Sequence, residues 1–186
     1  MLKPKPVLYI FGGPNGAGKT TFARALLNEI RPLPRFLNAD EIARGLSPLQ
    51  PAAVAVQAGR LLLTEFKRLI ATGESFSIES TLSGRTYIRE FRIARACGYN
   101  IELHYLHLES VKLALARIHE RVLKGGHSVP SSDVIRRYSR SLGRLVADYL
   151  PLADRWAVWD NTGVKPIRVA DHLSCTITDV KTMLIP

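Results

Sequence analysis

Acidic side chains are scarce in this chain: 16 Asp and Glu stand against 26 Lys and Arg in 186 residues, a formal charge of +10. That surplus suits anionic partners, whether phosphate-bearing small molecules, nucleic acid or acidic protein, without choosing among them. Cysteine is scarcer still. Cys97 and Cys175 form neither a metal-ligand spacing nor a disulfide framework, so a reducing cytoplasm is the expected setting. No stretch approaches the roughly 20 uncharged apolar residues that a membrane-spanning helix needs. The opening MLKPKPVLYIF does not read as a signal peptide, because its apolar run is short and a glycine-rich loop follows. No repeat, low-complexity tract or long linker divides the chain, so residues 1–186 are expected to form a single domain. With 46% hydrophobic and 23% charged residues, wholesale disorder is excluded.

What is present falls into alternating blocks. Val7-Leu8-Tyr9-Ile10-Phe11 has no polar alternation, the pattern of a strand buried on both faces. A helix is expected from 19 to about 30, stopped by Pro32 and Pro34, and a short strand over 35–38 then delivers Asp40. Residues 51–72 read as a long helix, with proline in its first turn and Val54, Ala58, Leu61, Leu62, Phe66, Leu69 and Ile70 as its apolar stripe. Strands at 76–78, 100–108 and 156–159 alternate with helices at about 85–97, 110–123 and 130–150. This alternation predicts an α/β fold with a mostly parallel sheet. Ligands bind such sheets at the carboxyl ends of the strands, where Gly12, Gly13, Asp40, Glu79 and Asp160 all fall. Residues after Lys165 are placed no further than as a possible edge strand.

Gly13-Pro14-Asn15-Gly16-Ala17-Gly18-Lys19-Thr20 satisfies the phosphate-loop pattern G-x-x-x-x-G-K-[ST] between a buried strand and a helix. The fold predicted is therefore the P-loop NTPase three-layer sandwich. Its glycines let successive N–H groups turn inward as an anion nest, and the helix N-terminus adds its dipole. Lys19 is expected to reach the β- and γ-phosphates, Thr20 to ligate Mg²⁺, and Thr21 to contact the α-phosphate. No N-K-x-D motif for guanine occurs, which favours ATP. Leu82-Ser83-Gly84 begins like a transporter ATPase signature, but nothing else of that class follows.

Phosphoryl transfer needs a carboxylate facing the γ-phosphate and basic groups that close over it. Asp40 can serve as that base, or it can cap the short helix that follows. Glu79-Ser80-Thr81 offers a carboxylate and hydroxyls to a polar acceptor, or forms a polar turn. Residues 117–144 hold Arg117, Arg121, Lys124, Arg136, Arg137, Arg140 and Arg144 against Glu120 and Asp133, half of the formal surplus in 28 residues. Interrupted by Gly125, Gly126 and Pro130, this segment is expected to be a basic helical lid, with some of its arginines on phosphate and the rest solvated. His104 and His107 lie three apart in a strand and point to opposite faces, so both read as structural histidines, not as metal ligands.

Together GGPNGAGKTT at 12–21, NADEIARGLSP at 38–48, IESTLSG at 78–84, HERVLKGGHSVP at 119–130 and DRWAVWDNTG at 154–163 resemble the zeta toxin family of P-loop kinases. The resemblance runs from about residue 6 to 165, and within it the chain looks like a compact branch often labelled as ABC-type ATPases. Characterised zeta toxins phosphorylate the sugar 3′-hydroxyl of UDP-N-acetylglucosamine with ATP. The resemblance implies Asp40 as base, Glu79 and Thr81 as acceptor-site residues, and Arg121 as a lid arginine. The toxins carry an arginine two residues after that threonine, where this chain has Ser83 with Arg85 two further on. They also carry one three residues before the lid proline, where this chain has His127, leaving Arg136 or Arg137 to compensate. The resemblance allows for an antitoxin that blocks the ATP site.

The function expected is an ATP/Mg²⁺-dependent kinase acting on a small-molecule hydroxyl, with Lys19, Asp40 and Arg121 as its catalytic groups. A polynucleotide-end kinase is the enzymatic alternative. A nucleic-acid-binding ATPase or switch ranks lower, since no basic stripe interleaved with aromatics occurs and Tyr138 and Tyr149 read as core positions.

Overall fold

The unbroken apolar run becomes the centre of a sheet. In the computed structural model, which describes residues 4–126 and 128–185, β1 (Val7–Gly12) is hydrogen-bonded on both edges in parallel register, Ile10 lying between Ile78 and Leu103. The other strands are β2 (Arg35–Asn38), β3 (Phe76–Ser80), β4 (Asn100–His107), β5 (Arg155–Asp160) and β6 (Ile167–Asp171). Their spatial order is β2-β3-β1-β4-β5-β6, with every pairing parallel except the last. The mostly parallel α/β sandwich expected from the pattern is the fold observed.

Alternation along the strands divides the helices into two layers. Leu8 and Ile10 point into the larger core, with Leu62, Phe66 and Leu69 of α3 (Ala55–Thr72) and Ile88, Phe91 and Ala94 of α4 (Thr86–Ala96). Phe66 meets Phe76 edge-on at 5.0 Å, a favoured aromatic geometry. On the other face Phe11 packs against Ala23 and Leu27 of α1 (Lys19–Leu27), while Leu106 packs against Ala114 and Ile118 of α5 (Val111–Leu123). Helix α2 (Ala39–Leu46) follows β2 directly, and Gly73 ends α3 in a left-handed conformation (φ 68°).

Two regions differ from the sequence expectation, and a third bears it out and extends it. Helix α1 ends at Leu27, three residues early. The helix expected over 130–150 is α6 (Ser131–Arg144), which loosens into a π-type turn over Leu145–Tyr149 and a 3₁₀ turn over Leu150–Leu152. The residues after Lys165 form the antiparallel edge strand β6 and a further helix α7 (Ile177–Leu184), started by a reciprocal capping box between Thr176 and Asp179. Among the described residues, no helix is long and apolar enough to cross a membrane.

Candidate active site

The phosphate loop takes its shape from glycines that no other residue replaces without strain. Gly13, Gly16 and Gly18 have φ of 139°, 79° and 77°. A Cβ on Gly13 would stand 2.3 Å from the Leu106 carbonyl oxygen, and one on Gly16 2.8 Å from that of Ala114. The loop is therefore pressed against the end of β4 and the start of α5. No side chain caps the N-terminus of α1, so its first N–H groups remain open to an anion.

Lys19 is buried. Its Nζ donates to the Pro14 carbonyl at 2.9 Å and lies 3.8 Å from Glu79 Oε1. Burial pushes its pKa down; Glu79 and Asp40 pull it back up, and Arg121 and Arg137 press it lower. Four elements, β3, α2, α5 and α6, thus bring charge to one lysine. The Thr20 hydroxyl donates to Glu79 Oε2 at 2.7 Å, and Asn38 Nδ2 donates to the same oxygen at 3.0 Å.

Asn38 also decides the role of Asp40. Its Oδ1 accepts from the backbone N–H groups of Asp40 and Glu41 at 2.8 and 3.4 Å, which makes Asn38 the cap of α2. The Asp40 carboxylate is not needed as the cap, and its charge acts on both Lys19 and Arg121. Arg121, near the end of α5, has its pKa lowered by burial and by Arg44, against Asp40 and Glu79. The helix closes through Gly125 N–H to the Val122 carbonyl and Gly126 N–H to the Arg121 carbonyl. A Cβ on Gly126 would fall 2.5 Å from Arg121 Cγ, so this glycine lets the chain turn tightly against the arginine.

The resulting crevice, about 220 Å³, is lined by P-loop residues Gly16, Gly18, Lys19, Thr20 and Thr21 together with Glu79, Arg117 and Arg121. The structure does not bring every expected residue to its lining: Asp40 stands outside it and reaches Lys19 through its charge. Thr81 shares a hydrogen bond with Ser83 (2.9 Å) and lies outside the lining. Arg85 is exposed at the start of α4 and borders a groove on that helix's outer face. Arg136 is paired with Asp133 at 2.7 Å; Arg137, one residue and about 100° further round the helix, is the α6 arginine whose charge reaches Lys19. His127 lies outside the described residues. Glu79 contacts the P-loop hydroxyl.

Two residues take roles that sequence reasoning did not assign to them. Asn161 Nδ2 donates to the Ala17 carbonyl at 2.8 Å, fastening the loop after β5 to the P-loop. Arg117 donates to the carbonyls of Asn161, Thr162 and Gly163 at 2.7, 2.9 and 3.2 Å, holding that loop in place. Asp160 shapes the same turn by accepting from the Thr162 N–H at 2.9 Å. The Asp-Asn-Thr-Gly run was the available signal, a turn-forming sequence at a strand end.

Helix α6 and the turn after it are fastened to the loop after β3. Ser141 Oγ donates to the Thr81 carbonyl, and Tyr149 to that of Gly84, both at 2.5 Å. Tyr138 donates to the Leu108 carbonyl at 2.6 Å. His104 is structural as expected: Trp159 Nε1–H donates to its Nδ1 at 3.3 Å, which leaves Nε2–H to face Glu102 at 3.0 Å. His107 departs from that reading, because its Nδ1 is buried without a partner and its pKa is lowered by burial.

A magnesium ion fits the donor set. Mg²⁺ retains several waters and takes one or two protein oxygens besides phosphate, and the Thr20 hydroxyl and Glu79 carboxylate supply two at the loop mouth. No group of three or more His, Cys, Asp or Glu is needed, and none occurs among the described residues.

The family model for the AAA domain matches residues 8–145, from β1 through the P-loop, Asp40 and Glu79 to the end of α6. This chain belongs to the AAA domain family. An uncharacterized protein of Haemophilus influenzae is 31% identical to this AAA domain over 138 residues, covering 74% of the chain and 95% of the relative. Among solved structures, a chain of the PezAT chromosomal toxin-antitoxin system of Streptococcus pneumoniae superposes with a TM-score of 0.74 at 16% identity, covering 99% of this chain and 80% of that one. The AvrRxo1-ORF1:-ORF2 complex with ATP gives 0.72 at 18% identity, over 97% of this chain and 63% of that one. A gluconokinase from Sinorhizobium meliloti gives 0.53 at 16% identity, over 97% and 90%. The AAA domain thus has a P-loop kinase-like fold similar to that of PezAT.

Proposed function

We propose that this AAA domain is an ATP-dependent kinase that phosphorylates a hydroxyl of a small molecule, and that its acceptor is a UDP-activated amino sugar. The observation that carries the reading is the crevice in which the P-loop, Lys19 and Thr20 stand with Glu79 and Arg121, with the charges of Asp40 and Arg137 acting on the same lysine. In this reading the P-loop N–H groups and Lys19 hold the β- and γ-phosphates of ATP. Asp40 takes the proton of the acceptor hydroxyl as its oxygen bonds to the γ-phosphorus, and the bond from that phosphorus to the leaving ADP oxygen breaks. Arg121 and Arg137 stabilise the charge on the transferring group. Thr20 and Glu79 would hold Mg²⁺, which when bound neutralises phosphate charge.

The loop fastened by Asn161 and Arg117 steadies the P-loop from the β5 side. The likeness to PezAT, a toxin-antitoxin system, supports extending the proposal to an antitoxin partner and a cytoplasmic setting.

An acceptor screen tests the proposal. Purified protein, ATP and Mg²⁺ are incubated with UDP-sugars and with a metabolite extract, and products gaining a phosphate are read by mass spectrometry. A phosphorylated UDP-amino sugar is expected, and Asp40→Asn should keep ATP binding while losing about 10²–10⁴-fold in transfer. Tight ATP binding with no phosphorylated product from any acceptor would overturn the kinase reading. A different phosphorylated product would overturn the acceptor alone.

A further inference from the structure

Helix α4 buries Ile88, Phe91 and Ala94 against the sheet and turns Arg85, Arg89, Arg92, Ile93 and Ala96 outward. These outward residues, with the edge of Ile88, border an open groove of about 430 Å³ that shares no residue with the P-loop crevice. The spacing i, i+4, i+7 sets the three arginines in one row about 10 Å long. Among the described residues, none of the three has a carboxylate partner, whereas the next arginine, Arg95, lies 3.6 Å from Asp154.

This row opposes the helix that carries it. Like charges three and four residues apart repel one another. Arg85 occupies the N-cap, where the helix dipole disfavours a cation, and the first turn holds no acid. Local choices that weaken an element without a compensating contact mark a feature kept for another purpose.

We propose that the outer face of α4 docks an acidic protein segment, its carboxylates spaced to the arginine row and an apolar side chain seated on Ile93 and Ala96. Charge complementarity selects an anion, since guanidinium forks pair bidentately with carboxylates. The aliphatic floor between the arginines selects protein over nucleic acid. The helix's own rings, Tyr87 and Phe91, stack on each other at 5.9 Å on its inner side, leaving none to stack on a base.

The test titrates the full chain with a fluorescent synthetic helix carrying Glu at i, i+4 and i+7 and Leu between them, read by anisotropy. Saturable binding is expected. Charge reversal in Arg89→Glu/Arg92→Glu should weaken it at least about a hundredfold, with ATP affinity unchanged and the melting temperature not lowered, since relief of the like-charge repulsion favours the helix. Ile93→Asp should weaken it about tenfold. If the reversed variant does not fold, Arg89→Gln/Arg92→Gln replaces it, with a loss of about tenfold expected. Failure of the helix to bind, equal binding of a peptide with its Glu positions shuffled, or tighter binding of a single-stranded oligonucleotide of equal charge would each overturn the proposal. So would indifference of binding to the folded variants.

Discussion

Helices α5 and α6 on one side and α4 on the other are both rich in arginine, yet they use it in opposite ways. Around the crevice the arginines have employment: Arg117 holds three carbonyls, Arg121 lies in the fields of Asp40 and Glu79, and Arg137 pairs with Asp133 while its charge reaches Lys19. On α4 a row of three stands without a carboxylate. Salt-bridged arginines on an exposed helix contribute little to stability, about 0.3–0.5 kcal/mol per pair. What separates the two groups is therefore orientation: the crevice set is aimed at Lys19 and its surroundings, the α4 set at solvent.

The largest expected effect sharpens that contrast. Arg121→Ala should lower kcat for phosphoryl transfer by about 10²–10³-fold, whereas Arg89→Ala should leave kcat within about twofold. Equal losses in the two would erase the distinction. A smaller effect separates neighbours on one helix. Arg137→Ala should cost about tenfold in transfer and Arg136→Ala almost nothing, measured as kcat/KM for ATP. The reverse order would mean that α6 presents a different face to the crevice.

The mildest effect is one of pH. Burial lowers the pKa of Lys19, so its charge is lost on the way up before the ordinary lysine value of 10.5. ATP affinity depends on that charge. The Kd should rise through the alkaline range below 10.5, and binding there should take up protons, because phosphate favours the charged lysine. The same lowered pKa means the unfolded chain holds more protons in this window, so stability from this residue increases as pH rises. Calorimetry in buffers of differing ionisation enthalpy reads the proton uptake. A flat Kd across this range would show an ordinary lysine, and the convergence of charge on it would lose its meaning.

The P-loop was legible because its function is encoded in consecutive residues whose backbone shape requires glycine. Asp40 was legible as a strand-end carboxylate, but the residue that frees it from capping, Asn38, was not singled out, although asparagine is a preferred cap. Arg85 and Arg136 show where one-dimensional reading fails. Each lies one or a few residues from a site, and a helix turns every residue about 100° from the last. The path into α4 also runs through Leu82, whose φ of 53° is the single positive value among non-glycine residues described and which no sequence pattern announces. Asn161 and Arg117 act through contacts 44 or more residues away in sequence, so the turn-forming run and the basic segment marked where they lie but not what they hold. Strand β6 was hard to place because an edge strand, largely exposed here, lacks the apolar signature of β1.

The two hydroxyls that tie α6 to the loop after β3 set the mechanics of the crevice. With Ser141 clamped on Thr81 and Tyr138 on Leu108, the helix is held at two points, and only the stretch back to Ser131, about 10 Å at 1.5 Å per residue, lies beyond the second. A tilt of about 10° about Tyr138 carries the tip roughly 2 Å but leaves Arg137, next to that point, almost in place. The start of α6 can thus give way while Arg137 scarcely moves.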